Sequence, residues 1–193
     1  MPTLRLPRAT GDRLPVARAR RRRAAVAVAV LAATFMVVAA RLFVFPTQGM
    51  PARVDAVVVF DGPGNFSRLA TALRLASADR ASTLVVSQGT FQSQVGGCPT
   101  PIRGVKVICF NPSPATTQGE AQFAGRLARQ YHWRSVTLIT VPSQDTRARL
   151  RMSRCFPGKI YVVTAPLPAM QWPYQIAYES AAMFKALFLQ RSC

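Results

Sequence analysis

The sequence predicts an α/β domain, a mostly parallel sheet with helices on both faces, preceded by one transmembrane helix. Three observations carry this. Residues 24–45, AAVAVAVLAATFMVVAARLFVF, are one apolar run with a single charge, Arg41. Beyond it, short β-branched runs alternate with segments of helical periodicity, the pattern of βαβ units. Those runs hardly alternate between apolar and polar residues, which marks strands covered on both faces.

The apolar run holds 22 residues. As a helix it rises about 33 Å, enough for a hydrocarbon core of about 30 Å. Arg41 lies near the far end, where its long stem reaches the interface. Residues 1–23 carry eight arginines against the single acid Asp12. Positive flanks stay cytoplasmic, so the N-terminus is expected inside and residues 46–193 outside. A cleaved signal peptide is the competing reading, and a buried soluble helix is a third. A signal would have a shorter apolar core ending at a small-residue site. Ala39-Ala40-Arg41 fits that poorly, and Leu42–Phe45 continues the run. The expected organisation is a basic tail (1–23), a span (24–45), a linker (46–53) that lifts the domain off the bilayer, and an extracytoplasmic domain (54–193).

Charge narrows the partners. The chain carries a net +18, of which the tail accounts for +7. The tail charge suits topology and anionic lipid headgroups. The remaining excess suggests an anionic ligand, a small molecule or a lipid-linked one. No nucleic-acid-binding module accompanies it. The sequence names no cofactor and no protein partner.

The cysteines are Cys98, Cys109, Cys155 and Cys193, with one histidine and no C-x-x-C. That excludes the usual zinc and thioredoxin-like patterns, so no metal set is expected. Outside a membrane, an even count reads as disulfides. Cys98–Cys109 would close a short loop. Cys155–Cys193 would pin the C-terminal end, with two free thiols as the alternative.

The elements follow in order. Val54–Phe60 is a buried strand, followed by the turn DGPGN. Asn65 is expected to cap a helix with Leu69, Leu73 and Ala76 on its apolar face. Ser82–Ser87 is a second strand and Val105–Phe110 a third, with a polar loop between them. Thr117 and Glu120 read as a capping box, opening a helix that buries Ala124, Leu127 and Tyr131. Ser135–Thr140 is a fourth strand. The next helix turns Ala148, Met152 and Cys155 inward, with Arg147 beside them and Arg151 and Arg154 on a solvated face. Lys159–Val163 is a fifth strand. Pro173 suits the first turn of a last helix, with Ala177, Ala181, Phe184 and Phe188 inward.

In open α/β sheets, ligands bind beyond the carboxyl ends of the strands. Four turns fall there: Asp61–Asn65, Ser87–Gly89, Asn111–Thr117 and Val141–Arg147. Several lead into helix N-termini, whose free N–H groups attract anions.

The stretches VDAVVVFDG with Arg68, LVVSQG at 84–89, the Thr117 turn opening GEAQFAGRLARQYHW, and LITVPSQDTRARLRMSRCF at 138–156 resemble the DUF218 domain, the YdcF-like or SanA/ElyC-like family. The family's segments read roughly D-x-[IV]-V-V-L-G, an Arg in the next helix, S-G-G, N-T-x-E-N-A and T-S-x-x-H-M-x-R-A. The resemblance covers about residues 54–190. It implies a Rossmann-like domain and a role in the bacterial cell envelope. It implies a pocket lined by Asp61 or Gly62, Arg68, Ser87, Gly89, Thr117, Gln144 and Arg147. Arg68 and Arg147 would grip phosphate with their guanidinium forks. Asp61 would be the carboxylate placed for catalysis.

The chain also departs from that pattern. Gln88 replaces a glycine, Gln144 replaces a histidine, and Asn111 and Thr116 replace an acid and an asparagine. Glutamine and asparagine cannot act as general bases. Three functions stay open: an enzyme acting on a phosphorylated or lipid-linked envelope metabolite, a catalytically weakened binding or regulatory module, and a purely structural membrane subunit whose sheet presents a partner surface. The C-terminal helix with Phe184, Leu187 and Phe188 could supply that face. The sole histidine, His132, reads as a surface or packing residue.

Overall fold

The central strand of the sheet is Val54–Val59 (β1), buried at all but one position. The computed structural model describes residues 13–89 and 98–193. Five strands lie in the order β3-β2-β1-β4-β5, and every neighbouring pair is parallel. The others are Ala81–Ser87 (β2), Lys106–Phe110 (β3), Ser135–Thr140 (β4) and Lys159–Thr164 (β5). Each expected strand is present to within one residue at either end. Ala56, Val57, Val58, Leu84, Val85, Leu138 and Ile139 have no exposed surface, which is why their sequence shows so little alternation.

Among the described residues, the chain up to Val38 belongs to the helix α1, Arg13–Ala39, a unit separate from residues 39–193. Ala17–Val44 is long and apolar enough to cross a membrane. Its last turn, Ala40–Val44, is a π-turn that belongs to the α/β unit and buries Phe43. The segment expected as a free linker is bonded to the body. Gly49 N–H donates to Val162 O at 3.1 Å, covering the β5 edge. Arg80 Nη2 donates to Pro51 O at 2.8 Å, and Arg149 donates to Thr47 O.

Helices cover both faces. Asn65–Ser77 (α2) lays Ala72 and Ala76, with Leu69 and Leu73 half-buried, on the face holding Val57, Val59, Leu84, Val86 and Ile139. Thr117–Gln130 (α3) and Asp145–Cys155 (α4) cover the other. Ala121, Ala124, Ala148 and Met152 pack there on Ala56, Val58, Val85, Val136 and Leu138. Trp172–Phe184 (α5), continued by a π-turn at Lys185–Leu189, closes the chain. Cys98 pairs with Cys109 and Cys155 with Cys193, so no cysteine is free among the described residues.

Four local expectations are corrected. Gly64, at φ 75°, occupies the N-cap position of α2, and Asn65 is its first helical residue. Only glycine takes that left-handed conformation without strain. Thr116, not Thr117, caps α3 by accepting the Gly119 N–H at 3.3 Å. Tyr131 ends α3 exposed rather than buried. In α5 the inward face is Gln175, Glu179 and Met183, while Ala177, Ala181, Phe184 and Phe188 are exposed. The outward register follows from a polar requirement inside, described next.

Candidate functional site

The chain has two glutamates, Glu120 and Glu179, in a molecule of 25 basic residues. Both are buried, at 2% exposure, in the wall of one cavity of about 300 Å³. The cavity lies beyond the carboxyl ends of β1, β2 and β4. There the winding reverses: the chain steps from β1 outward to β3, then crosses back to β4. Such a reversal parts two neighbouring loops and opens a crevice. Asp61 and Gly62 form one side, Gly89 another, and Thr116–Gln118 and Glu120 a third. Gln144, Arg147 and Arg151 come from the β4–α4 region, and α5 brings Tyr174, Tyr178, Glu179 and Lys185.

Glu120 is in this wall because Thr116 is the cap. Moving the cap back one residue removes Glu120 from the capping position, and its carboxyl turns toward β1. The Asp61 N–H donates to Glu120 Oε1 at 2.6 Å. Burial lifts the Glu120 carboxyl from 4.5 to about 7. The Asp61 N–H, the nearby Ser87 hydroxyl and the Arg68 charge pull the other way, while Asp61 reinforces the rise. Ser87 Oγ, fully buried, makes no hydrogen bond of ordinary geometry. A carboxyl half-ionised near neutral pH both accepts and donates protons. This is the residue sequence reasoning left in a helix cap. Its signal was the scarcity of acids: the second glutamate also lies here.

The Asp61 carboxylate rests against Gly89. A Cβ added at Gly89 would come within 2.1 Å of Asp61 Oδ2. Gly89 is therefore the space the carboxylate occupies, not only a loop residue.

The two arginines expected to grip phosphate have different places. Arg68 is fully buried beneath the β1–α2 turn and does not line the cavity. Its Nη1 donates to the Phe60 and Asp61 carbonyls at 2.7 and 3.0 Å. Burial lowers its pKa to about 10, against the raising influence of Glu120 and Asp61. It braces the loop from below and adds a positive field under the cavity floor. Gly62, at φ 138°, passes directly over this guanidinium. Arg147 does line the cavity, but as half of a bidentate pair with Glu179 at 2.6 and 2.8 Å. Burial disfavours its charge, yet the hydrogen bonds and charge of Glu179 outweigh that and raise its pKa. The Arg147 Nη1 also donates to Thr117 Oγ1 at 2.6 Å.

Gln144 lies in the cavity wall. It is buried and engaged at both ends. Thr140 Oγ1 donates to its Oε1 at 2.6 Å, and its Nε2 donates to Thr117 Oγ1 at 3.2 Å. Asn111 is exposed. His132, also exposed, turns the chain after α3 at φ 54°. Asp55 is structural: its Oδ2 accepts the Arg134 and Ser135 N–H groups, both at 2.8 Å, and clamps β1 to β4.

Arg151 and Arg154, expected on a solvated face, instead hold the chain end. Arg151 is buried and donates to Gln190 O and to Gln190 Oε1, the latter at 2.8 Å. Arg154 donates to Ala186 O and Gln190 O at 2.8 and 2.9 Å. These acceptors carry no formal charge: they are the Gln190 side-chain amide and carbonyls ending a helix, whose partial negative charge offsets part of the cations'. Burial lowers the Arg151 pKa, and the neighbouring charges of Arg154 and Arg147 lower it further. Among the described residues no carboxylate lies within ion-pair distance of Arg151 or Lys185. Both line the cavity. No cluster of three metal-ligating side chains occurs among the described residues.

No protein-family model matches the chain, and no curated protein matches it. Among solved structures, it is similar to a Rex-family repressor at 9% identity and a TM-score of 0.31. That match covers 70% of this chain and 64% of the repressor chain, so this chain spans less than two thirds of it. A likeness that distant carries no functional argument.

Proposed function

We propose that this chain is a membrane-anchored, DUF218-like protein of the bacterial envelope that binds an anionic, phosphorylated or lipid-linked metabolite in the cavity above β1 and β4. The α/β unit would lie outside the membrane, as the basic N-terminal flank requires. One observation carries the reading. Arg151 and Lys185 bring two cations, without a carboxylate partner among the described residues, to a cavity that also receives the N-terminus of α3. Cations and a helix N-terminus facing one space favour an anion. Arg68 and Arg147 support the site rather than grip the ligand, one from beneath and one through Glu179.

Glu120 favours processing over binding alone. The replaced histidine at Gln144 removes one proton carrier. A buried carboxyl at about 7, beside Asp61, supplies another. Glu120 would act as general acid or base on a group held by Arg151 and Lys185, with Asp61 orienting it.

The test is calorimetric titration of the full chain in detergent with inorganic pyrophosphate and with a polyprenyl pyrophosphate. Binding that weakens about tenfold or more in Arg151→Ala plus Lys185→Ala supports the reading. Binding that is absent in the wild type, or unaltered by the double substitution, discards it. Product release abolished by Glu120→Gln with binding retained identifies an enzyme. Binding without product identifies the regulatory module.

A further inference from the structure

The outward face of α5 is apolar where a water-facing helix would be mixed. Met170, Tyr174, Tyr178, Phe184 and Phe188 recur at helical spacing, and each is at least 49% exposed. Leu189 beyond them is 71% exposed. Ala177 and Ala181 fill the gaps between these side chains. The stripe borders the cavity, since Tyr174 and Tyr178 also line it. A continuous apolar surface of this kind marks a contact with something other than water.

Two observations say what covers it. The candidate span ends on this same unit. Its terminal turn, Ala40–Val44, packs on the turn Pro142–Gln144, and the start of α5 packs on that turn too. Thr146 Oγ1 donates to Leu42 O at 2.6 Å, fixing the exit of the span to α4. The following residues are bonded to the β5 edge, Gly49 to Val162. The terminal turn of the candidate span and α5 therefore share one neighbouring turn within the α/β unit. The second observation is chemical. The stripe joins tyrosine, phenylalanine and leucine to exposed Lys185 and Arg191, while the helix's one acid, Glu179, is turned inward. Aromatic rings with flanking cations suit the interface of an anionic membrane.

We infer that the outer face of α5 lies in the headgroup region of the bilayer that holds the span, so that the cavity admits an amphiphile whose anionic head enters from the membrane surface. The ligand half of this rests on the anion-binding reading above. The membrane-contact half does not.

The experiment uses the full chain in nanodiscs of phosphatidylcholine and phosphatidylglycerol, with bromine on the upper acyl chains. Phe188→Trp reports on the stripe. Phe66→Trp, at a 72% exposed site on α2, is the control. The emission added by Phe188→Trp should fall by about half or more, as for a ring at headgroup depth, and that of Phe66→Trp should not change. Equal, unquenched emission overturns the inference. So does shielding of Phe188→Trp from aqueous iodide only in discs carrying two copies, which would make the face a dimer contact. In a second arm, Phe184→Ser with Phe188→Ser should weaken polyprenyl pyrophosphate binding in discs about tenfold and leave inorganic pyrophosphate unaltered. Equal effects on both ligands, or on neither, overturn membrane entry. If wild type binds neither ligand, the anion reading fails while the quenching result still decides the membrane contact.

Discussion

Arg147 of α4 and Glu179 of α5 form a bidentate ion pair, with Nε–Oε2 at 2.6 Å and Nη2–Oε1 at 2.8 Å. The pair ties two helices together across the cavity wall, and Thr117 Oγ1 adds the α3 N-terminus to it. Three helices thus converge on one guanidinium. The cost of burying Glu179 on α5 is offset by this partner. The pair therefore explains why α5 presents its polar edge inward.

Removing one partner should be far worse than removing both. Arg147→Ala or Glu179→Ala leaves a buried charge and should destabilise the unit by about 3–5 kcal/mol. Arg147→Met with Glu179→Leu should recover much of that loss. Urea unfolding of the three variants measures it, and equal losses in all three would contradict the account.

Stability should fall as pH rises toward neutrality. The unfolded Glu120 carboxyl gives up its proton near 4.5, whereas the folded one keeps it to about 7. Between those values the native state binds more protons, so raising the pH favours unfolding, by about 3 kcal/mol at most. Glu120→Gln should flatten this part of the profile and raise stability above pH 7. Denaturant midpoints from pH 4 to 8 give the comparison.

Gly89→Ala should act at a distance of one side chain. The added methyl would occupy the place of the Asp61 carboxylate and force it into the cavity. A cost of about 1–3 kcal/mol in stability is expected from such overpacking. Ligand affinity should fall as well, and Gly89→Ala with Asp61→Gly should restore stability but not turnover.

Reduction should loosen the chain end selectively. Cys155–Cys193 closes a separation of 38 residues, and the tail it holds accepts hydrogen bonds from Gln118 and Gln122. Cys193→Ser should cost about 4 kcal/mol in the loop-entropy account. It should also speed proteolysis after Lys185, because Arg151 and Arg154 lose a fixed partner. Alkylation of the unreduced wild type should find no free thiol at either position.

The strands were legible because their burial is two-sided and leaves an uninterrupted β-branched signature, as in Val54–Val59 and Ser135–Thr140. The rim turns were legible from Asp61-Gly62-Pro63-Gly64 and its counterparts. The last helix was not. Its apolar residues outnumber its polar ones along its length, so periodicity favours burying Phe184 and Phe188. A local scale cannot see that Arg147, 32 residues away in sequence, needs Glu179. The α3 cap failed for a similar reason. Two adjacent threonines compete for one position, and a shift of one residue moves Glu120 by a quarter turn.

Composition and pattern by themselves determined the α/β class, the apolar span with its basic flank, and the strands whose ends converge on one rim. These follow from local rules of burial and turn chemistry that each segment carries in itself. Tertiary structure alone decided which charges pair with one another and which have no carboxylate partner among the described residues. It paired Arg147 with Glu179, sank Arg68 beneath the loop, left Arg151 among neutral carbonyls, and raised Glu120 toward neutrality. Such outcomes depend on distance and desolvation between residues far apart in the chain, which no window of sequence contains.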